Sequence, residues 1–190
     1  MSSSARRLAT LIPVSETFSP ASIIGTNDAE RVGDFTLMAG TGTPGGQPEA
    51  PNCTNPNGCP DNRVLLVDRA GDIVWQYGEF GVAGSGPDQL NVPVQNTWLP
   101  NRHVLITDQA NERVMEVDVA TKVIVWQYGT TGVSGNGPDQ LNNPNCALLL
   151  ENGHILICDE NLPVTVQAVT CREERDRYPH APSVSGMATP

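Results

Sequence analysis

The sequence predicts an all-β protein built from repeated short antiparallel strands, and three observations lead to that expectation. The stretch from Val74 to Pro93 is written a second time from Val125 to Pro144, with fifteen of twenty positions identical. The chain of 190 residues contains 18 Gly and 16 Pro, which suits many turns better than long helices. Between the two copies, β-rich runs alternate with polar turns.

The repeat has the period of a supersecondary unit. Trp75 and Trp126 hold the same place in the two copies and lie 51 residues apart, near the upper end of the spacing found in propeller blades. Residues 93–129 hold four β-rich runs, namely VQNTWLP, HVLITD, RVMEVDV and VIVWQYG. Because four short antiparallel strands make one blade of a β-propeller, we predict a complete blade over this range.

The run HVLITD is apolar on both of its faces. Val104 and Ile106 point to one side of a strand and Leu105 to the other, and residues 155–157 repeat the pattern. Strands that are apolar on both faces are expected where sheets cover each other on two sides. We therefore predict that successive blades stack face to face.

The repeat pattern divides the chain into three parts. Residues 62–161 carry the repeats, with the complete blade flanked by half blades on each side. Residues 1–61 are predicted to form an N-terminal segment with a partial blade and a Cys-bearing loop. Residues 162–190 lose the pattern and are predicted to form a disordered tail, although VTVQAV within it can make a substitute strand.

Within the N-terminal segment, three stretches receive separate predictions. The run DFTLMAG at 34–40 is the expected second strand of the partial blade. A first strand is expected within 10–25, and residues 41–61 are expected to be the inserted loop.

The segment GSGPDQLNVP…HVLITDQANERVMEVD resembles the NHL repeat. That repeat has a Gly-Pro-rich lead, a Pro, a strand ending in Asp, and then an Asn and an Arg before the next strand. The matching residues here are Gly86, Pro87, Leu90, Pro93, Asp108, Asn111 and Arg113.

The segment VDVATKVIVW is similar to the docking motif of pyrroloquinoline-quinone (PQQ) type propellers, which has an Asp, a Thr-Gly turn and a Trp. Asp118, Thr121 and Trp126 match, and Lys122 stands where Gly is usual. A shortened form of the motif matches at Asp68, Gly71 and Trp75.

These resemblances imply a closed ring of about four to eight blades. The chain supplies about two to three of them, so we expect an incomplete ring. Such a ring belongs to a longer propeller, or is completed by self-association through exposed blade edges.

Asp108 and Asp159 end the same strand in successive repeats. One interpretation is a ring of carboxylates that binds a cation. The alternative is a structural turn, in which Asp108 accepts backbone N–H groups and pairs with Arg113. We favour the structural turn, because a residue that recurs with the repeat is usually part of its architecture.

His103 and His154 also share a register, each at the start of a strand after a turn. In propeller enzymes such histidines serve as metal ligands or general acids. The structural alternative is a half-exposed turn residue, which we favour because no third titratable partner is identifiable from the sequence. We predict no catalytic, cofactor-binding or metal-binding residue with this chain alone.

The repeated linker and its flanking aromatic residues also allow two interpretations. Four aromatic residues suit either a sugar-stacking platform or the core between blades, and the core is favoured: Trp75, Tyr77, Trp126 and Tyr128. We expect Leu90 and Leu141 to fill the space between blades. The linker glycines are expected to adopt positive φ angles: Gly84, Gly86, Gly135 and Gly137.

Cys53 and Cys59 flank a loop rich in Pro and Asn. In an oxidising compartment they can close a small disulfide, and in a reducing one they remain free thiols. A zinc site is disfavoured, because the Cys-x-x-Cys spacing is absent.

Charge excludes two classes of partner. The formal net charge is −10 and no basic run is present, which disfavours nucleic acid and anionic membrane surfaces. The N-terminal residues are too polar to indicate a signal peptide, and localisation stays unassigned.

We predict a non-enzymatic binding scaffold for a protein or small ligand. The alternative is part of a propeller enzyme of the PQQ-dehydrogenase, sulfotransferase-like or lyase-like kind. Only in that case is Ca²⁺ or PQQ expected as a cofactor.

Overall fold

The computed structural model describes residues 23–44, 53, 55–161 and 167–170, and its strands form three antiparallel sheets. The first sheet contains β1 (Thr26–Val32), β2 (Phe35–Thr43), β3 (Cys59–Val67) and β4 (Ile73–Tyr77). The second contains β5 (Pro93–Trp98), β6 (His103–Asp108), β7 (Arg113–Asp118) and β8 (Ile124–Tyr128). The third contains β9 (Pro144–Leu149), β10 (His154–Asp159) and β11 (Gln167–Thr170). In each sheet the strands are neighbours in chain order.

The predicted all-β, antiparallel, four-stranded organisation is confirmed, and the prediction for the first sheet is corrected. The strand that pairs with the predicted second strand is Thr26–Val32, which is mostly exposed and therefore lacks the apolar signal of a buried strand. Most of the range 10–25, where a first strand was predicted, lies outside the described residues. The loop predicted at 41–61 is shorter, because β2 continues to Thr43 and β3 begins at Cys59. The boundary drawn between 61 and 62 therefore lies inside a strand.

The third sheet contains a strand that overlaps VTVQAV, the run that the sequence allowed as a substitute strand in the C-terminal part. Residues 167–170 form β11, which pairs with β10, so a strand lies within the predicted tail at 162–190. The remaining residues of that range, and the cysteine at 171, lie outside the described part of the chain.

The second sheet is covered on both faces, as predicted. One core joins it to the first sheet and contains Leu37, Ala39, Val64, Leu66, Tyr77, Leu90, Val104, Ile106, Met115 and Val117. The other joins it to the third sheet and contains Leu99, Leu105, Val114, Leu141, Ala147, Ile155 and Ile157. The alternation along β6 and β7 sends side chains into both cores.

Two linkers, residues 78–92 and 129–143, connect the sheets and have the same backbone structure. Gly84 N donates to Leu90 O at 3.0 Å, and Gly135 N donates to Leu141 O at 3.0 Å. Leu90 and Leu141 are fully buried, each in one of the two cores. The linkers therefore place one leucine between each pair of sheets.

The prediction of positive φ angles is wrong for the four glycines to which it was applied, Gly84, Gly86, Gly135 and Gly137. In the two linkers, positive φ angles occur instead at the following residues: Gly78, Gly81, Asp88 and Val92, and Gly129, Gly132, Asp139 and Asn143. At Gly84 and Gly135 the constraint is space, because an added Cβ atom would lie 2.3 Å from Gln89 Oε1 and 2.2 Å from Gln140 Oε1.

Neighbouring sheets are also joined through their first strands. Asp28 Oδ2 accepts the Asn96 backbone N–H at 3.0 Å, and Gln95 Oε1 accepts the backbone N–H of Ala147. Asp28 and Gln95 are both the third residue of the first strand of their sheet. The two interfaces between sheets thus share one hydrogen-bond arrangement.

The aromatic residues lie at the cores, as predicted. Trp75 packs against the core between the first and second sheets, and its Nε1 donates to Val119 O at 2.9 Å. Trp126 and Tyr128 pack against the core between the second and third sheets.

Candidate functional site

Asp108 ends β6 as the acceptor of a buried cluster. Its Oδ2 accepts Arg113 Nε at 2.8 Å and Asn111 Nδ2 at 2.7 Å. Its Oδ1 accepts the backbone N–H of Asn91 at 2.7 Å. Both members of the ion pair are almost completely buried. The carboxylate is therefore fully engaged within the protein, in the arrangement that a structural turn requires.

The same cluster binds the linker before the second sheet. Asn111 Nδ2 also donates to Gly84 O at 2.7 Å, and Arg113 donates from Nη1 to Ser85 O and from Nη2 to Gln89 O, each at 3.3 Å. Burial raises the pKa of Asp108, against the opposing effects of Arg113 and Asn111. The cluster therefore joins the end of β6 to the 78–92 linker, which leads into the second sheet.

The first sheet has the same kind of cluster with the carboxylate on a different strand. Asp61, on β3, accepts Arg63 Nε at 2.6 Å and the backbone N–H of Ile24 at 2.6 Å. In the strand register, Gly40 lies opposite Arg63, just as Asp108 lies opposite Arg113 in the second sheet. A Cβ atom on Gly40 would lie 2.7 Å from the Asp61 carboxyl carbon, so glycine makes room for the displaced carboxylate.

Sequence analysis missed Asp61 because it assigned the residue to the inserted loop. The available signal was the alignment of NRVLLVD with ERVMEVD, which matches Arg63 to Arg113. An arginine at that position predicts a carboxylate close to it.

In the third sheet the cluster is incomplete. Asp159 Oδ2 accepts the backbone N–H of Asn142 at 2.7 Å, and the backbone of Asn161 also favours the charged carboxylate. Among the described residues, Oδ1 has no side-chain donor. Burial raises the pKa of Asp159. The residues that correspond in sequence to Asn111 and Arg113 are Leu162 and Val164, and neither carries a polar side chain.

The predicted histidine candidates differ in their surroundings. His103 lies between two carboxylates of β7, with Nδ1 against Glu116 Oε1 and Nε2 at 3.2 Å from Asp118 Oδ2. Asn101 Nδ2 donates to the same Glu116 oxygen at 2.8 Å. With both ring nitrogens engaged, His103 acts as a structural bridge between β6 and β7.

His154 has the same backbone setting as His103. Its N–H donates to Asn152 Oδ1 at 3.0 Å, as the His103 N–H does to Asn101 Oδ1 at 3.1 Å. In register, His154 faces Thr170 of β11 where His103 faces Asp118. The partners of His103 are thirteen and fifteen residues away in sequence, so only the strand register reveals them.

Asp118 also closes the turn that is similar to the PQQ docking motif. Its Oδ1 accepts the Thr121 backbone N–H at 2.8 Å and the Thr121 hydroxyl at 3.0 Å. These two hydrogen bonds hold the pKa of Asp118 below its usual range. Lys122 has a φ of 59°, the left-handed conformation for which glycine is usual there.

Among the residues that the structure describes, no group of three or more His, Cys, Asp or Glu side chains is arranged to hold a metal ion. Asp108 and Asp159 lie in different sheets, and each binds the linker that enters its own sheet.

The described residues contain two disulfides. Cys53 and Cys59 are joined, with their Cα atoms 5.8 Å apart. Cys146 and Cys158 are also joined, with their Cα atoms 4.9 Å apart. The second pair was not predicted, because it follows from the register of β9 against β10, in which the two cysteines are direct partners.

An apolar cleft of about 580 Å³ lies where the β1–β2 hairpin meets the second sheet. Its lining consists of Val32, Gly33, Asp34, Phe35, Leu66 and Trp98. Asp34 pairs with Arg69 at 2.5 Å, with both side chains largely exposed. The cleft therefore combines aromatic walls with an exposed ion pair at its edge.

No family model and no curated protein matches this chain. One solved structure that is similar to it is that of a Bacteroides fragilis protein described, provisionally, as exported, with 13% identity and a TM-score of 0.47. The match covers 74% of this chain and 31% of that protein, so the chain spans about a third of its length. Within the described ranges, no helix has the length and apolar character to cross a membrane.

Proposed function

We propose that this chain contributes three blades of a β-propeller of NHL-like or PQQ-like repeats and acts as a binding scaffold without catalysis of its own. The observation that carries this proposal is the pair of matching interfaces on the second sheet. Each interface contains one linker leucine, Leu90 or Leu141, and one first-strand acceptor, Asp28 or Gln95. Units that stack through one repeated interface build a continuous surface from their loops.

The chemistry of the candidate residues supports a scaffold. Asp108 is bound by Arg113 and Asn111, and both ring nitrogens of His103 contact carboxylates. A general base or a ligand needs a free lone pair directed at a substrate or metal. These side chains instead hold the strands and the linkers in place.

The apolar cleft is the proposed binding position. The cleft is largely open to solvent, and it places two aromatic side chains beside a charged group, a combination that occurs in binding sites. Phe35 and Trp98 would receive an apolar side chain or a small apolar ligand, and the Asp34–Arg69 pair would orient its polar end.

Site-specific photo-cross-linking tests the binding role. We would place a photoreactive phenylalanine analogue at Phe35, in the cleft, and at Val123, which is exposed before β8. The proposal expects the analogue at position 35 to give one discrete cross-linked product. That product should be absent when the analogue is at position 123, and it should be lost when Trp98→Ala is combined with the analogue at position 35. Identical products from both positions would contradict it.

An experimental structure tests the propeller itself. The proposal expects the first-to-second and second-to-third sheets to be related by the same rotation about one common axis. Two unrelated rotations would refute the propeller arrangement and leave the binding role of the cleft to be judged by the cross-linking alone.

A further inference from the structure

We propose that the Cys146–Cys158 disulfide is a site of reversible thiol–disulfide exchange, which a dithiol opens and oxidation closes again. The bond joins β9 to β10 on the face of the third sheet that points away from the second sheet. The inference goes beyond the proposed binding role, and it stands whether or not the cleft holds a ligand.

Strand alternation places the two cysteines on that face. Ala147 and Ile157 belong to the core that the third sheet shares with the second. Cys146 and Cys158 are the direct neighbours of these two residues along their strands, so their side chains point to the opposite side of the sheet. Leu148 points the same way as the cysteines and is 43% exposed. The face that carries the bond therefore has solvent-exposed side chains beside the two sulfurs.

The two disulfides of the described residues differ in their exposure. Cys158 is exposed and Cys146 is half-buried, whereas Cys53 is 6% exposed and Cys59 is half-buried. Exchange begins when a thiolate reaches a disulfide sulfur, so its rate depends on access, and exposed disulfides are the more labile ones. We therefore expect an external dithiol to attack the Cys146–Cys158 bond first, at the Cys158 sulfur.

Backbone hydrogen bonds, and not the disulfide alone, hold β9 against β10. The two strands pair from Leu149 opposite Ile155 to Pro144 opposite Asp159, and β11 pairs with the other edge of β10. Opening the bond leaves this pairing and the core face of the sheet in place. The two thiols then remain opposite each other in register, so oxidation can close the same bond again.

The exchange runs in two steps. One thiolate of the dithiol attacks Cys158 Sγ, the bond between the two cysteines breaks, and Cys146 leaves as a thiolate that takes up a proton. The second thiolate of the dithiol then attacks the sulfur that the reagent placed on Cys158, which releases Cys158 as a thiolate that is protonated in turn. The dithiol is oxidised to a disulfide, and two electrons and two protons have passed to the protein.

The test is reduction of the folded full-length protein with increasing dithiothreitol, followed by alkylation and mass mapping. Cleavage after Glu151 and Glu160 places the three C-terminal cysteines in different peptides. We expect Cys146 and Cys158 to become alkylated over a range of dithiothreitol in which the other disulfide stays intact. Far-UV circular dichroism should report a folded chain over that range, and air oxidation after removal of the reagent should restore the bond.

Reduction of the Cys53–Cys59 bond first, or of both bonds together, would overturn the proposal. Reduction that occurs only as the circular dichroism signal is lost would overturn it as well. The control variant Cys171→Ser removes the remaining cysteine, which can otherwise carry out exchange within the chain. The order of reduction should be the same in this variant, and loss of the selectivity there would also contradict the proposal.

Discussion

The second and third sheets end their second strands with the same residue type, but within the described ranges only the carboxylate of the second sheet pairs with an arginine. Asp108 is bound by Arg113, Asn111 and the Asn91 N–H. The described contacts of the Asp159 carboxylate come from the backbone of Asn142 and Asn161. The backbone junction therefore does not need the arginine to form. The arginine adds charge compensation and attaches the following strand to the linker.

The two sheets also differ in how their first two strands are joined. Gln95 of the second sheet accepts a hydrogen bond from the third sheet and faces Thr107 in register. The corresponding residues of the third sheet, Cys146 and Cys158, form a disulfide. The third sheet is thus covalently joined at the position where the second sheet contacts its neighbour.

Arg113→Met is expected to have the largest effect, because it leaves the buried Asp108 carboxylate without its counterion. Breaking a buried pair from one side costs about 3–5 kcal/mol. Urea unfolding at neutral pH measures the loss. Arg69→Met is the matched control, since its ion pair with Asp34 is largely exposed and such pairs contribute about 0–1 kcal/mol. Equal losses of unfolding free energy for the two variants would show that the buried Asp108–Arg113 pair contributes no more to stability than the exposed pair.

Leu90→Ala and Leu141→Ala compare the two linkers directly. Both leucines are fully buried in equivalent positions, and such truncations cost about 2–5 kcal/mol. We expect the two losses of unfolding free energy to agree within about 2 kcal/mol, the spread found among buried Leu→Ala substitutions. A large loss at only one of them would mean that the two interfaces are not equivalent.

The double variant Cys146→Gln, Cys158→Thr gives the third sheet the residues of the second. Loss of a cross-link between residues 12 apart in sequence is expected to cost about 2–3 kcal/mol through the entropy of the unfolded chain. Thermal unfolding of the variant against the oxidised natural chain measures it. An unchanged melting temperature would show that the third sheet does not depend on this bond.

Asp159→Asn is expected to change the unfolding free energy less than the variants above. Its effect should be small at acid pH and stabilising near neutral pH. Burial raises the folded-state pKa of Asp159, so the folded protein binds the proton more tightly than the unfolded chain. The stability from this group is present in acid and is lost as the pH rises through the folded pKa. Unfolding free energies across acid to neutral pH should decline less in the variant than in the natural chain.

Asp118→Asn provides the control of opposite sign for that pH series. Its carboxyl has a lowered folded-state pKa because Thr121 donates to it, so its contribution is present above the unfolded pKa and is lost as the pH falls. If both substitutions change the pH dependence of the unfolding free energy in the same direction, the direction of the pKa shift given for one of the two carboxyls is wrong.

The strands of the second sheet follow from the sequence because their apolar residues alternate and their turns are polar. The four runs predicted at 93–129 correspond to β5 through β8. The first strand escaped prediction because β1 is largely exposed and carries charged residues such as Asp28 and Glu30, which bind the second sheet instead of filling a core. Such contacts depend on the neighbouring sheet, which local sequence does not describe.

The candidate site was partly predictable. The pairing of Asp108 with Arg113 spans five residues and was visible as a turn. The carboxylates around His103, the displaced Asp61 and the Cys146–Cys158 bond all depend on strand register. The incomplete third cluster does have a sequence signal, since Pro163 stands where Glu112 adopts a φ of 54°, and proline is restricted to negative φ.

A graft of the second-sheet turn into the third sheet tests the central claim most directly. Residues 160–164 would be replaced by Gln-Ala-Asn-Glu-Arg, the sequence at 109–113. If the third sheet is the same repeat without its arginine, the graft should raise the unfolding free energy by about 1–3 kcal/mol, the range for satisfying a buried charged acceptor. It should also lower the pKa of Asp159. Unchanged stability with an unchanged Asp159 titration would contradict the claim that the two sheets are versions of one repeat.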